Sequence, residues 1–118
     1  MSGSAEPAAR NGWAAFQEVE IRAATVLEAR PFPEARVPAI QLKLDIGGGE
    51  VRWSSAQITD RYTVSDLPGR QVLTLVNVTP RRIAGFSSQC LVLGVPDETG
   101  AVVLITPDAP VPAGALVY

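Results

Sequence analysis

The chain has 118 residues, 47% hydrophobic and 19% charged, which is enough for one globular domain with its own core and too apolar for disorder throughout. It has no histidine and a single cysteine, which excludes an internal disulfide, a Ser-His-Asp triad, a Cys-His pair and any histidine-based zinc site. Ten basic residues against 12 acidic ones leave a net charge of -2, the wrong sign for strong sequence-independent nucleic-acid binding, although a local basic patch remains compatible with it.

From the N-terminus, Met1–Arg10 is small, polar and aperiodic and reads as a flexible tail. Residues 1–12 are assigned to that tail and 13–118 to the domain. The tail has neither the basic nor the apolar region of a signal peptide, and no later stretch approaches the roughly 20 apolar residues that span a bilayer, so a cytoplasmic protein without membrane insertion is expected. Asn11 is placed to cap a short helix carrying Trp13 and Phe16. From Val19 the period becomes two, and it slips phase at Ala23-Ala24, as a bulge in a long coiled strand would make it.

Pro31 and Pro33 end that strand. Ala39–Ile46 is the clearest strand in the chain, with Ile40, Leu42, Leu44 and Ile46 on one face and Gln41, Lys43 and Asp45 on the other. Gly47-Gly48-Gly49 is a turn, and it precedes no lysine and helix of a phosphate loop. Glu50–Ser55 returns as a strand with Val51 and Trp53 expected inward. Tyr62, Val64 and Leu67 suit one side of a small helix before Pro68-Gly69. Gln71–Val78, Leu91–Gly94 and Ala101–Thr106 read as further strands, and a proline-rich extension follows. Short strands with one small helix between the third and fourth predict an all-β fold: a five-stranded OB-type Greek-key barrel with a short N-terminal helix and a C-terminal extension. An SH3-like barrel is the structural competitor.

Three segments between strands carry most of the information. They are Phe32-Pro33-Glu34-Ala35-Arg36, Trp53-Ser54-Ser55-Ala56-Gln57-Ile58-Thr59, and Asn77-Val78-Thr79-Pro80-Arg81-Arg82-Ile83-Ala84-Gly85-Phe86-Ser87-Ser88. In order and spacing they resemble the landmarks of CsaA-type export chaperones, a branch of the tRNA-binding-domain superfamily, over Phe16 to Tyr118. The resemblance implies an OB fold, a homodimer with a groove on each subunit, and a chaperone that assists protein export by binding unfolded or presecretory polypeptide. It also implies tRNA as the alternative partner. Arg22-Ala23-Ala24, Asn77-Val78-Thr79-Pro80 and Ser88-Gln89 depart from the family's usual residues, the last two at the expected groove.

The expected ligand groove is Arg36, Ser54, Ser55, Gln57, Thr59, Asn77, Arg81, Arg82, Phe86 and Ser88. Ser54, Ser55, Gln57 and Thr59 either offer directional polar groups to a ligand or satisfy their own backbone. Arg36, Arg81 and Arg82 either form a basic rim or pair with acids such as Glu34 or Asp60, pairing being the commoner fate of a surface arginine. Phe32 and Phe86 either stack on a base and line a groove or plug the barrel mouth. Trp53 is expected in the core, and Cys90 as a buried, inert thiol. No motif points to catalysis, a metal or a cofactor, so a binding protein and not an enzyme is expected, with no cofactor.

Overall fold

The computed structural model describes residues 11–118. Most of the expected N-terminal tail, residues 1–10, lies outside the described residues. Gly12 already belongs to helix α1 (Gly12–Glu18) and Asn11 caps it, its side-chain oxygen accepting from the Trp13 and Ala14 backbone N–H groups at 3.1 and 3.3 Å. None of the helix residues is buried, and Trp13 is 71% exposed.

Strand β1 (Ile21–Pro31) is long enough to serve two partners. Its first half pairs antiparallel with β4 (Gln71–Leu75) and its second half with β2 (Ile40–Asp45). The register shifts between Val26 and Glu28, leaving an exposed Leu27 out of the ladder. This is the expected bulge, displaced from Ala23-Ala24. Both alanines are buried for a different reason. The C-terminal segment runs alongside Ala23, whose N–H donates to Ala115 O at 2.8 Å and whose carbonyl accepts from Gly114 N–H at 2.7 Å.

In β2, Ile40, Leu42 and Leu44 are buried in strict alternation, and Ile46 follows them into the core. The glycine turn carries three successive positive φ angles, 87°, 64° and 78°, and delivers the chain into β3 (Val51–Ala56). The inward face of β3 differs from expectation. Leu42 pairs with Ser54 and Ile40 with Ala56, and residues opposite one another share a face, so Ser54 and Ala56 point inward. Trp53 and Val51 lie outside, opposite Lys43 and Asp45.

The small helix before β4 is a single 3-10 turn, Val64–Asp66, which delivers Leu67 into the core. Val72 and Val76 add to the same cluster. The stretch Arg81–Ser88, read from the sequence as a loop, is a hairpin of β5 (Arg81–Ile83) and β6 (Phe86–Ser88). Ala84 and Gly85 both take left-handed conformations in its two-residue turn, as tight hairpins require. Strand β7 (Leu91–Val92) pairs with β4, and β8 (Gly94–Pro96) forms a hairpin with β9 (Val102–Leu104).

The main sheet runs β3-β2-β1-β4-β7. Its two edges meet around Gln89, whose backbone N–H donates to Trp53 O and whose side-chain oxygen accepts from Trp53 N–H, both at 2.8 Å. The result is the anticipated nearly closed, five-stranded antiparallel OB barrel. Among the described residues no helix is long and apolar enough to cross a membrane.

Candidate ligand groove

A cavity of about 460 Å³ lies where β3 runs out toward Ile58 and faces the β5–β6 hairpin and the β7–β9 segment. Ile58, Val92, Val102 and Leu104 supply apolar surface, Leu91 extends it at 49% exposure, and Ser55, Gln57, Thr79 and Arg81 add polar groups. Polar and apolar surface are nearly balanced in it, so it can take apolar side chains and hydrogen-bond a ligand at once.

The expected site residues divide according to strand pairing. Ser55, Gln57, Arg81 and Ser88 line the groove. Ser88 is nearly buried and uses its hydroxyl to accept from Ser55 N–H at 3.0 Å, so it shapes the wall more than it offers a contact. Ser54 is 1% exposed, and its hydroxyl donates to the Cys90 carbonyl at 2.8 Å, inside the barrel and away from any ligand. Asn77 ties the end of α1 to the barrel. Its side-chain oxygen accepts from Glu20 N–H and its amide donates to Glu18 O, each at 2.8 Å. Thr59, Arg36 and Arg82 are exposed but do not line the groove. Arg82 pairs with Ser87 on the hairpin face opposite Arg81 and Ser88.

Phe86 is also absent from the groove. It faces a second, smaller cavity, meeting Phe32 edge-on at 5.3 Å and Trp53 at 6.1 Å between ring centroids. Phe32 is buried and serves packing. Trp53, expected in the core, carries the Arg30 guanidinium over its ring at 4.7 Å. Sequence reasoning missed Val78, Thr79 and Leu91 in the groove wall. These are ordinary apolar and hydroxyl residues at strand ends, and only the closure of the barrel collects them.

The electrostatics are mild. Ion pairs join Arg22 to Glu20, Arg30 to Glu28, Arg52 to Glu50 and Arg61 to Asp97. Arg36, Arg81 and Arg82 have no acidic partner within 4.0 Å among the described residues, so the expected pairing with Glu34 or Asp60 does not occur. Burial pushes the Cys90 thiol above its ordinary value, which makes a poor nucleophile of it. No group of acidic or sulfur ligands among the described residues is arranged to hold a metal.

Comparison with known proteins places residues 21–116 in the family described as "Putative tRNA binding domain". A methionine–tRNA ligase from Flavobacterium johnsoniae is 34% identical over 102 residues, which is 86% of this chain but 14% of that protein's length. The chain thus spans about one seventh of this curated relative. The crystal structure of the chaperone CsaA of Bacillus anthracis superimposes with a TM-score of 0.84 and 45% identity, covering 90% of this chain and 96% of the other. The CsaA chaperone protein of Picrophilus torridus superimposes with a TM-score of 0.83 and 36% identity, covering 90% and 97%.

Proposed function

The chain belongs to the tRNA-binding-domain family, in its CsaA-type branch, and from that premise we propose that it is a cytoplasmic, export-related chaperone that holds unfolded or presecretory polypeptide in the groove between β3 and the β5–β6 hairpin. The observation that carries this reading is the groove's composition. Apolar surface from Ile58, Leu91, Val92 and Leu104 accepts side chains, Ser55, Gln57 and Thr79 offer hydrogen bonds to an extended backbone, and the rim contributes one cation, Arg81. Binding is passive and reversible, with no nucleotide, metal or cofactor in the cycle.

The working unit is a homodimer. Both ends of the described chain converge on the start of β1, since α1 leads into it and Val117 N–H donates to Ile21 O at 2.8 Å. Trp13 and Phe16 on α1 and Leu116 and Tyr118 on the C-terminal segment are all exposed, apolar groups that a second copy would cover. Sedimentation at micromolar concentration is expected to give a dimer, and a monomer would remove this part of the proposal.

A second reading, tRNA binding, is favoured by the family itself and by Arg36, Arg81 and Arg82, which have no acidic partners among the described residues. Titration of an unfolded preprotein and of bulk tRNA at two salt concentrations separates the readings. For a polypeptide site, Leu91→Ser weakens preprotein binding about tenfold through lost apolar contact, while Arg81→Glu with Arg82→Glu costs little. For an RNA site the order reverses, and the double charge reversal flattens the salt dependence by about two units of slope at most. If neither set of variants alters either ligand, the groove is not the site.

A further inference from the structure

One stretch of strand in the groove wall has an open edge. In β7, Leu93 N–H donates to Leu73 O at 2.9 Å, which makes Leu93, and Leu91 opposite Leu75, the hydrogen-bonding positions toward β4. Val92, opposite Thr74, therefore turns its N–H and C=O away from β4. In β8, Asp97 N–H donates to Ala101 O at 2.8 Å and Ile105 N–H to Leu93 O at 3.3 Å, which fixes one phase along the hairpin. Gly94, opposite Leu104, therefore turns its N–H and C=O away from β9. Both residues line the groove, and these four main-chain groups have no partner among the described residues. The open edge is short. At one end the Cys90 carbonyl is taken by the Ser54 hydroxyl at 2.8 Å, and at the other Pro96 has no N–H to offer.

We propose that the groove takes an extended polypeptide segment as an added strand, paired through its main chain to Val92 and Gly94. The inference rests on the reading of the groove as a polypeptide site and says how that site selects. Val92 and Gly94 are two strand residues apart, about 6.6 Å, so two alternate residues of a segment, each giving one N–H and one C=O, match the four free groups. Recognition through the main chain is tolerant of side-chain sequence, but it needs an extended chain and excludes proline at those two positions. A folded protein has spent its main-chain groups on its own helices and sheets, and a helix has none free in its middle, so the edge separates unfolded segments from folded ones. Leu91 and Val95, 49% and 51% exposed on either side of the edge, add contact for apolar side chains. An edge on a flat outer surface would recruit strand after strand. Here Ser55, Gln57 and Arg81 wall the groove as well, and the recessed edge admits one segment.

The test follows amide hydrogen exchange residue by residue, by NMR of the isotope-labelled full chain with and without the unfolded preprotein. The Val92 and Gly94 amides are expected to exchange freely in the chain alone and to slow about tenfold or more in the complex, as a new hydrogen bond would make them. Leu93, already bonded to Leu73, should change little. A fluorescein-labelled octapeptide, Ser-Thr-Val-Thr-Leu-Thr-Val-Ser, supplies the second readout. Single N-methyl groups walked along it should lower its affinity about tenfold at two alternate positions and little at the residue between them. If the octapeptide binds too weakly to titrate, exchange at Val92 and Gly94 decides alone. Unchanged exchange at both residues in a preprotein complex that does form, N-methyl effects without the alternation, or slowing of the two amides by bulk tRNA and not by preprotein would each overturn the added strand. The first two leave the polypeptide reading of the groove standing. Preprotein that does not bind, or that binds Leu91→Ser as well as the wild type, removes that reading and the added strand with it.

Discussion

Ser54 and Thr74 are small hydroxyl residues sealed in the same barrel, yet their contributions to stability have opposite signs. The Ser54 hydroxyl donates to the Cys90 carbonyl at 2.8 Å and helps hold the two edges of the sheet together. Ser54→Ala is expected to cost about 1–3 kcal/mol, the penalty for stranding a buried polar partner. Thr74 Oγ1 is fully buried with no hydrogen-bond partner among the described residues. It lies close enough to the Cys90 thiol to offset part of the upward push that burial gives that group, but not in hydrogen-bonding geometry. Thr74→Val keeps the volume and removes the stranded hydroxyl, so it should stabilise by about 1 kcal/mol. Urea midpoints are expected to move down for Ser54→Ala and up for Thr74→Val. A fall in both would mean that the thiol satisfies the hydroxyl after all.

At the scale of elements, the pairing of β2 with β3 sets both the core and the outer face. Ile40 is buried opposite Ala56, whereas Gln41 lies outside opposite Ser55. Ile40→Asp places an unpaired carboxylate in the core at a cost of several kcal/mol, on the order of the whole stability of a small domain, so it should abolish the cooperative melt. Gln41→Asp should melt close to the wild type, and similar melts for both variants would mean the register is wrong. The β8–β9 turn depends on one carboxylate. Asp97 accepts from Thr99 N–H and hydroxyl at 2.8 Å, from Ala101 N–H at 3.0 Å and from Arg61 at 3.0 Å. The bonds from Thr99, then those from Arg61 and Ala101, hold its pKa down to about 2 from an ordinary 3.8. The folded state therefore prefers the ionised form. Its contribution is present above about pH 4 and is lost as pH falls toward 2. Thermal melts of Asp97→Ala should lie below the wild type at pH 7 and converge with it near pH 2. A gap that is constant with pH would assign the effect to something other than the charge.

At the scale of the whole molecule, the C-terminal segment acts as an extra edge to the barrel. It pairs with the start of β1 through Gly114, Ala115 and Val117, and it meets the β2–β3 turn where Gly47 and Gly114 approach each other backbone to backbone. A Cβ on either glycine would collide with the opposing main chain, and both have positive φ. Gly48 also has positive φ but faces open space. Gly48→Ala should cost about 1 kcal/mol for the left-handed backbone alone, while Gly114→Ala adds a backbone clash and should cost clearly more. Hydrogen exchange should show the extra loss at Ala23 and Val117, which the C-terminal pairing protects. Equal effects of the two substitutions would mean that the segment is not docked.

Local chemistry was enough to read several features from the chain. The Asn11 cap, the Ile40–Ile46 alternation, the triple-glycine turn and the small helical turn before Pro68 each depend on residues a few positions apart, and the order of the loop segments carried the family. Other features depended on partners far along the chain. Hydrophobicity alone put Trp53 inside and Ser54 outside, but strand position is set by the residue opposite, and Leu42 requires the reverse. Arg81 and Phe86 lie on one face of the hairpin, yet Arg81 lines the groove while Phe86, at the turn end, packs against Phe32 and Trp53 beside a separate cavity. Asn77 looked available for a ligand until its amide was found holding Glu18 and Glu20, nearly 60 residues away. The sequence by itself determined the elements with a clear period or turn signal, such as α1, β2 and the glycine turn, because periodicity and turn chemistry are local, but not the β5–β6 hairpin. Tertiary structure decided which side chains share a surface, because barrel closure brings distant strand edges together and spends some polar groups on the fold while leaving others free to bind.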